Sequence, residues 1–293
     1  MQIGFFPIGM GLTAEPEIIA LIARTVEQTG FHCLWAPEHV VLVDQYVSKL
    51  PYTMDGRLPL PTTFDFLDPF TALAFAAAHT KTIRLSTGIC LVPEHNPVVL
   101  AKEVASVDKL SGGRFDFGIG IGWLAEEAKA VGVPWERRGE RAREYLKAMK
   151  LLWTEENPEF NGEFCSFPQV RLYPKPVQKP HPPIIVGGES VPALKRAGEV
   201  GDGWYGMNVT PEEVKTKIAH IRQYAQAAGR DPEKLHCTVS PGLTVPLTLD
   251  LIKQYRDAGA HQIALHWFPD DRQAVTGKLE QLAETFVVPA ARL

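Results

Sequence analysis

Three glycines stand at alternate positions where an apolar run ends and a helical pattern begins. The stretch reads "FDFGIGIGWLAEE", and its glycines are Gly118, Gly120 and Gly122. A ligand-free turn needs one such residue, whereas three in alternation leave bare main chain on which a flat ring or a phosphate can lie. Their spacing is not the G-x-G-x-x-G that seats a pyrophosphate on a helix start. The pattern therefore favours close approach of a ligand.

A second glycine-rich stretch, "VGGES", follows another apolar run. Gly187 and Gly188 precede Ser190, which we expect to be the N-cap of a helix. Free N–H groups at a helix start attract anions, so the Ser190 hydroxyl is either a phosphate contact or an ordinary cap. Two such stretches in one sheet indicate a flat cofactor that carries phosphate.

Two Glu-His pairs also follow predicted strands. They are Glu38-His39 in "WAPEHV" and Glu94-His95 in "VPEHNP". A histidine at the end of a strand can move a proton near neutral pH, although a structural loop histidine is an equal alternative. A metal site at the two pairs is the weaker hypothesis because no H-E-x-x-H spacing is present, and we predict none. No Ser-His-Asp arrangement supports a covalent hydrolase.

Short apolar runs alternate with amphipathic stretches along the whole chain. Eight such units predict parallel strands closed into a (β/α)8 TIM barrel, with one domain over residues 1–293. The doubly wound alternative is weaker because the second strand lacks an acidic residue for a ribose. We expect the eight strands in "QIGFFP", "FHCLWA", "IRLSTGI", "RFDFGIG", "PPIIVGG", "DGWYGM", "LHCTVSP" and "HQIALHW".

Glycines, prolines and short polar residues mark the predicted helix ends. Glycine just after a helical pattern takes the left-handed conformation that closes a helix, and proline fits the first helical turn. The expected helix-closing glycines are Gly30, Gly113, Gly201 and Gly259. The expected N-caps, each followed by proline, are Asp68, Asn96 and Thr210. Helices are expected to start near Glu15, Pro69, Pro97, Arg137, Ser190, Pro211, Thr248 and Asp271.

Two insertions interrupt the alternation. Val40–Phe66 follows the second strand, so it lies on the active face and forms part of a substrate lid that includes Tyr52. Asn157–Pro182 precedes the fifth strand, so it lies on the opposite face or the side of the barrel. In the last strand, alternation points His266 inward near the mouth, where we expect a substrate contact.

Composition narrows the class of protein. Hydrophobic residues make up 45% of the 293 residues and charged residues 22%, which is typical of globular proteins. The formal net charge of −4 argues against a nucleic-acid binder. No signal peptide or membrane span is recognised, and the four cysteines are far apart, so we expect a cytoplasmic protein without a disulfide framework.

The chain resembles the bacterial luciferase-like monooxygenase superfamily, and within it a subfamily of probable F420-dependent oxidoreductases. The resemblance rests on an ordered set of pieces from the second to the sixth strand, about two thirds of the chain. The pieces are "LWAPEHVV", "PYTMDGRLP", "LAKEVASVDKLSGGRFDFGIGIGWLAEEAKAVGVPWERRGERAREYLKAMKLLW", "PKPVQKPHPPIIVGG" and "RAGEVGDGW". The last third matches only in its βα rhythm.

The resemblance implies roles for residues at the strand ends. Glu38 and His39 match a catalytic acidic-His pair beside the cofactor ring. Gly88-Ile89 falls where the superfamily often has a cis peptide under the ring. The resemblance also implies cofactor contacts from Gly120, Gly122, Trp123, Val186, Gly187, Gly188 and Ser190. The arginines at the start of the fourth helix either reach a phosphate or are solvated helix charges; they are Arg137, Arg138 and Arg141.

The function that the resemblance implies is hydride transfer between coenzyme F420 and a small organic substrate. One alternative is a monooxygenase that uses O2 and reduced FMN from a separate reductase, and another is a flavin-binding protein without turnover. A metal-dependent barrel hydrolase is the alternative from a different class. The resemblance also implies a homodimer. Substrate identity and oligomeric state are not visible in the sequence.

Overall fold

Eight parallel strands close into a barrel in the computed structural model, which describes residues 1–242 and 245–293. The barrel strands are β1 (Gln2–Phe6), β2 (Cys33–Ala36), β3 (Arg84–Thr87), β5 (Phe115–Gly120), β8 (Ile184–Gly187), β9 (Gly203–Met207), β10 (His236–Ser240) and β11 (Gln262–His266). β1 pairs with both β2 and β11, and β3 pairs with β5, which completes the circle. The predicted (β/α)8 barrel is confirmed.

The remaining strands are short. β4 (Cys90–Leu91) continues the line of β3 and pairs with the end of β5. β6 (Phe160–Asn161) and β7 (Ser166–Phe167) form an antiparallel pair outside the barrel.

Helices follow the strands as the alternation predicts. They are α1 (Pro16–Gln28), α2 (Pro69–Ala78), α3 (Pro97–Ser111), α4 (Ala125–Ala130), α5 (Arg138–Thr154), α6 (Val191–Val200), α7 (Pro211–Ala227), α8 (Leu249–Asp257), α9 (Val275–Leu282) and α10 (Val288–Ala290). The Asp68, Asn96 and Thr210 side chains each accept a hydrogen bond from the first turn of their helix, so the three predicted N-caps are confirmed. Among the described residues, none of these helices is both long and apolar enough to cross a bilayer.

Three details of the helix prediction are wrong. α4 was not predicted, because its six residues are too few to show a helical period. α9 begins at Val275 rather than near Asp271, since the intervening residues form a turn. Gly201 has a φ of −84° and an extended backbone, so it does not close α6 in the left-handed conformation, whereas Gly30 and Gly259 do so with φ of 85° and 99°.

Apolar side chains pack in two layers. One lies between the strands and the surrounding helices, and includes Phe117, Trp153 and Ile263. A smaller cluster fills the inside of the barrel and consists of Phe6, Cys33, Trp35, Ile185, Tyr205 and Ala264. Strand alternation produces both layers, because successive side chains of one strand point to opposite faces.

The two insertions take the places that their positions predict. Residues 40–66 leave the carboxyl end of β2, and after them the Leu67 N–H bonds the carbonyl of Gly9, which follows the neighbouring strand β1, at 2.8 Å. Residues 157–182 pass along α5 and α3 toward the amino end of the barrel, where Gln178 Nε2 bonds the Phe115 carbonyl at 2.6 Å.

Candidate active site at the carboxyl ends of the strands

His39 is held by a carboxylate from another element of the barrel. Its Nδ1 donates to Glu127 Oε2 at 2.7 Å, and the Glu127 side chain is 1% exposed. The other Glu127 oxygen accepts the backbone N–H groups of Val40 and Val41, at 2.6 and 3.2 Å. Glu127 therefore fixes both the ring of His39 and the backbone that carries it. With Nδ1 engaged, Nε2 is the imidazole nitrogen left for chemistry.

Aromatic side chains surround the His39 ring. Phe66 lies edge-on at a centroid distance of 5.5 Å, and Trp123 lies edge-on at 6.0 Å. Tyr46, from the insertion, packs edge-on against Trp123 at 5.6 Å. These rings restrict the access of water to the histidine, so the sequence prediction of Trp123 near the site agrees with its position beside His39.

Glu38 turns away from His39. One of its carboxylate oxygens accepts from His95 Nε2 at 2.9 Å, and the other accepts from the Leu91 N–H. The Glu38 side chain is buried, with 3% of its surface exposed. Its two hydrogen bonds therefore stabilise the loop after β3 in the wall of the mouth. The structure does not bring Glu38 and His39 together as the predicted pair.

A potential metal-ligand set exists in that wall. Ligand atoms of Glu38, Cys90 and His95 lie within 4.8 Å of one another. The hydrogen bonds to both Glu38 oxygens already account for this arrangement, and burial raises the pKa of the Cys90 thiol, which disfavours the thiolate that a metal needs. His39 bonds the Glu127 carboxylate instead, so the four residues of the metal hypothesis, Glu38, His39, Glu94 and His95, do not form one ligand set.

Glu94 is an isolated carboxyl group beside the glycine-rich loop. Both of its oxygens are buried and make no hydrogen bond to any described residue. Burial, together with the Glu127 and Glu38 carboxylates, raises the pKa of Glu94 from 4.5 to about 8. Glu94 therefore carries a proton at neutral pH. The sequence analysis gave it no role of its own.

Close contacts within the protein account for the glycines at the end of β5. A Cβ on Gly118 would lie 1.9 Å from the Thr87 carbonyl oxygen, and one on Gly120 would lie 2.1 Å from Ile89 Cδ1. Gly187 also faces Ile89, at 2.8 Å. Two glycines from different strands thus make room for one side chain. The alternating pattern does not by itself require a ligand.

The Gly88-Ile89 peptide is cis, as the resemblance implies. It joins β3 to β4, so Ile89 occupies the floor of the mouth between Gly120 and Gly187. A Cβ on Gly88 would lie 3.1 Å from the Trp35 ring and 3.4 Å from the Phe6 ring. The floor is therefore a tightly packed apolar surface.

Two loop glycines adopt the left-handed backbone. Gly122 has a φ of 78° and Gly188 a φ of 108°, which side chains rarely tolerate. Gly122 also packs against Glu94, whose Oε1 would lie 3.0 Å from an added Cβ. These two positions carry the turns that lead from β5 and β8 into the following helices.

A hydrogen bond joins the residues after β8 to the insertion of residues 40–66. Tyr52 donates its hydroxyl to Glu189 Oε2 at 3.1 Å, and Glu189 Oε1 accepts the Met207 N–H at 2.7 Å. Burial raises the pKa of the Glu189 carboxyl. Ser190 stands at the N-cap of α6 as predicted, but its side chain does not bond the helix. The structure therefore places Tyr52 over the mouth and leaves the Ser190 hydroxyl exposed.

The arginines of the α5 region differ in their partners. Arg137 forms ion pairs with Glu140 and Glu163, and Arg141 donates to the Pro134 carbonyl at 2.7 Å. Arg138 stacks on the Trp135 ring at 3.6 Å, and its Nε has no partner among the described residues. Of the three predicted arginines, Arg138 is the one with a buried Nε that has no partner among the described residues.

A fourth arginine, Arg196 of α6, lies against the start of α5. It is 3% exposed, its Nε makes no hydrogen bond within the described part of the chain, and its Nη2 would lie 3.1 Å from a Cβ on Gly139. Burial, and then the charges of Arg143 and Arg138, lower the pKa of Arg196. A buried guanidinium without a carboxylate is costly, so this region suits an anion.

His266 points into the barrel mouth as predicted from alternation. Its ring stacks on Phe6 with a centroid distance of 4.4 Å, and its Nε2 lies near the hydroxyls of Tyr205 and Ser240. Two hollows elsewhere on the surface, one lined by α5 with the β6–β7 region and one by α7 with the end of α8, are lined by none of the predicted site residues.

Comparison with known proteins identifies the family. The family model described as Luciferase-like monooxygenase matches residues 5–285. The chain belongs to this family. An uncharacterized protein from Mycobacterium tuberculosis is 37% identical over 256 residues, which cover 86% of this chain and 87% of the relative.

A sequence relative and a structural neighbour are named for different cofactors. The oxygenase component of a flavin-dependent trigonelline monooxygenase from Acinetobacter baylyi is 32% identical over 212 residues, 70% of this chain and 52% of that protein. The structure of an F420-dependent secondary alcohol dehydrogenase superposes with a TM-score of 0.77 over 99% of this chain and 98% of the other. Its sequence identity is 20%, so this likeness concerns the fold.

Sequence reasoning missed Glu127 and Arg196, and it named Glu94 only as a member of a Glu-His pair. Glu127, Glu94 and Arg196 come from three separate elements. Glu127 carried a usable signal, since it directly follows the glycine-rich loop at the carboxyl end of a strand. Arg196 carried none, because an arginine inside an amphipathic helix normally faces water.

Proposed function

We propose that this luciferase-like protein is an oxidoreductase that binds coenzyme F420 at the barrel mouth and transfers hydride between it and a small organic substrate. The observation that carries the proposal is the His39–Glu127 pair, a fixed proton-transfer group at the strand ends. His39 and the surrounding residues act on the substrate, and the cofactor, when bound, supplies or receives the hydride.

His39 holds the proton that accompanies hydride transfer. Glu127 accepts from Nδ1, so the proton enters and leaves at Nε2. The Phe66 and Trp123 rings exclude bulk water from that nitrogen and keep the proton in the site. Glu38 serves as a positioning residue in this proposal, because its oxygens are committed to His95 and Leu91.

The arginine region supports a phosphate-bearing cofactor. Arg138 and Arg196 each have a buried Nε without a partner among the described residues. A phosphate between α5 and α6 would supply the missing negative charge and hydrogen-bond acceptors. The exposed Ser190 hydroxyl, at the start of α6, would add a contact. These residues fit the phosphate of F420 or of FMN.

The remaining predicted cofactor residues would support the ring. Gly88 and Ile89 form the apolar floor, with Gly120 and Gly187 packed beneath the Ile89 side chain. The other predicted contacts stand at the ends of β5 and β8; they are Gly122, Trp123, Val186 and Gly188. Tyr52 and His266 would face the substrate.

A flavin monooxygenase is the second candidate. The trigonelline monooxygenase component, which is flavin-dependent, is 32% identical over 70% of this chain, and a protein of that class would need a separate reductase as partner. The homodimer and the cytoplasmic location expected from the sequence remain predictions, as does the assignment of one domain to the whole chain.

Cofactor titration tests the proposal. Purified protein would be titrated with F420 and with FMN separately, with tryptophan fluorescence as the signal, because Trp123 and Trp135 flank the proposed site. We expect saturable quenching by F420. Tight FMN binding without F420 binding would select the monooxygenase, and binding of neither would reject both.

Substitution of the proton-transfer pair tests the mechanism. His39→Ala should leave cofactor affinity nearly unchanged and lower turnover by about 10²–10⁴-fold. Turnover would be followed by F420 absorbance with a panel of alcohols and ketones. Glu127→Gln should approach the same loss, because the ring loses its ionic partner.

Glu126→Gln is the matched control for Glu127→Gln. Glu126 also accepts backbone N–H groups of the insertion, from Val47 and Ser48, but it does not bond His39. It should therefore retain most of the turnover. Equal losses in the two variants would assign the effect to the insertion and not to the histidine.

A further inference from the structure

His266 lies where the interior of the barrel opens into the mouth. β11 is buried from Gln262 to Leu265, and His266 is its first partly exposed residue. Strand alternation puts His266 on the same face as Ala264, a member of the interior cluster, and its ring stacks on Phe6 of the neighbouring strand at 4.4 Å. The imidazole therefore lies at the mouth, where the proposed function places the cofactor and the substrate.

The contacts of Ser240 decide which nitrogen of His266 carries the proton. The Ser240 hydroxyl donates its one proton to the Pro241 carbonyl at 3.1 Å, so toward His266 Nε2, at 3.0 Å, its oxygen can only accept. The Tyr205 oxygen lies 3.2 Å from the same nitrogen and can accept the same proton as a second, longer contact. Burial lowers the pKa of His266 to about 3, so the ring is neutral near pH 7 and has only one N–H. That proton is on Nε2, which leaves Nδ1 with a free lone pair.

Nδ1 of His266 is an acceptor without a partner. The atom is buried and makes no hydrogen bond to any residue within 1–242 and 245–293. Leaving a buried polar atom unpaired costs free energy, which a donor from outside the chain would recover. Because the ring stays neutral, it accepts a hydrogen bond without taking up the proton. His266 is therefore suited to recognition, and His39 remains the group that moves protons in the proposed function.

We propose that His266 Nδ1 is a hydrogen-bond acceptor for a hydroxyl or N–H group of the ligand bound in the barrel mouth. The donor is not the reacting hydroxyl of the substrate, since that proton goes to His39 in the proposed function. It is a second hydroxyl or N–H of the substrate, or an N–H of the cofactor ring, and both sources share this chemistry. The inference rests on the proposed function for the location of the binding site, and it adds the class of polar group recognised there.

Nitrogen NMR of the histidine rings in the full-length protein tests the tautomer. His266→Phe identifies the His266 signals, and we expect Nε2 to be protonated and Nδ1 unprotonated at pH 7. Tyr205→Phe should keep this tautomer, because Ser240 remains as the acceptor. Ser240→Ala should move part of the population to protonated Nδ1, because Tyr205 can then donate to Nε2. A protonated Nδ1 in the parent protein would overturn the proposal.

Two matched probes test recognition separately from cofactor binding. Propane-1,2-diol and butan-2-ol share a secondary alcohol and differ in one group, a hydroxyl in place of a methyl. With cofactor present, we expect the diol alone to shift the Nδ1 signal, and its affinity relative to butan-2-ol to fall about tenfold in His266→Phe. A shift caused by the cofactor alone would assign the donor to the ring. No shift with the cofactor or with either probe, while fluorescence shows that the cofactor binds, would reject the inference and leave the proposed function intact.

Two further variants separate recognition from a structural role of His266. Asparagine in His266→Asn can place its amide oxygen near the position of Nδ1, whereas glutamine in His266→Gln places its amide near the position of Nε2, next to Ser240. The ligand that shifts Nδ1 should keep most of its affinity in His266→Asn and lose about tenfold in His266→Gln. The reverse order would assign His266 to support of the strand end and would overturn the proposal.

Discussion

At the scale of single residues, the site contains an unusual carboxyl group. The charges of the Glu127 and Glu38 carboxylates both act on Glu94, whose own oxygens lack protein partners in the described ranges. A third negative charge there would be repelled by the other two, so the group stays protonated to about pH 8. Because Glu94 is protonated and therefore uncharged, the three carboxyl groups can lie in the same wall of the mouth without a third negative charge.

This proton predicts a dependence of stability on pH. The native state holds it up to about pH 8, whereas the unfolded chain releases it near pH 4.5, so the free energy of unfolding falls as the pH rises between these values. Glu94→Gln should remove about 1–3 kcal/mol of that fall, measured by urea unfolding at pH 5 and pH 9. Glu284→Gln, at an exposed position, is the control, and an unchanged slope in Glu94→Gln would contradict the assignment.

Residue types near a strand end were predictable, but their pairing was not. Alternation and position placed His39 and His266 at the mouth. Glu38 is adjacent to His39 in sequence, yet it bonds His95, while the partner of His39 is 88 positions away. Such partners depend on the closure of the barrel, which brings the β2 and β5 ends together and leaves no mark in local sequence.

At the scale of elements, the end of β5 shows how the strands fit around Ile89. A Cβ at Gly118 meets the backbone oxygen of Thr87, which cannot move aside, whereas a Cβ at Gly120 meets the tip of the Ile89 side chain. Gly120→Ala should destabilise the protein by about 1–3 kcal/mol through overpacking. Adding Ile89→Ala should restore most of the loss, since it removes the clashing atoms.

Gly118→Ala is the comparison for that rescue. It should be at least as destabilising, and Ile89→Ala should not rescue it, because the clash is with main chain. Urea unfolding of the four variants provides the measurement. If Gly120→Ala were as stable as the parent but bound cofactor poorly, the bare position would serve the ligand rather than Ile89.

The lid gives a second prediction at this scale. Tyr52→Phe removes the side-chain hydrogen bond between the insertion and Glu189, which follows β8. Amides of residues 49–60 should then exchange with solvent faster, while those of Val40 and Val41, bound by Glu127, should not change. Tyr173→Phe, which removes an exposed hydroxyl contact to Glu156, is the control. Unchanged exchange in Tyr52→Phe would show that packing alone holds the segment.

Elements with a clear period and end signals were predicted well, and short elements were not. Eight strands and the starts of α2, α3 and α7 follow from alternation and from Asp, Asn or Thr before proline. The two-residue strands β4, β6 and β7 are too short to have a period. α4 owes its position to the carboxylates that it directs at the insertion, which only the folded chain shows.

At the scale of the whole molecule, the opposite end of the barrel holds neutral histidines. Burial, followed by the charge of Arg84, lowers the pKa of His32 to about 4. Burial and neighbouring positive groups, first His261, lower that of His236 to about 4 as well. The amino end of the barrel therefore holds two histidines that stay neutral near physiological pH.

The histidines predict a loss of stability in acid. The unfolded chain takes up these protons below pH 6.5 and the native state only near pH 4, so the free energy of unfolding falls as the pH drops through this window. Each histidine contributes at most ~1.4 kcal/mol per pH unit. His236→Gln should reduce this slope, measured by urea unfolding from pH 7 to pH 4, and the exposed His220→Gln should not. Equal slopes in the parent protein, His236→Gln and His220→Gln would contradict the prediction.

The segment over the barrel mouth is fastened unevenly. Carboxylates of α4 hold its main chain at Val40, Val41, Val47 and Ser48, the Leu67 N–H bonds Gly9 at its end, and the phenol of Tyr52 bonds Glu189 nearer its tip. If the Tyr52 hydroxyl left Glu189, the tip of the segment would be released while its main-chain bonds stayed in place. A ligand that entered the mouth beside β8 would therefore have to break or bypass the Tyr52–Glu189 hydrogen bond.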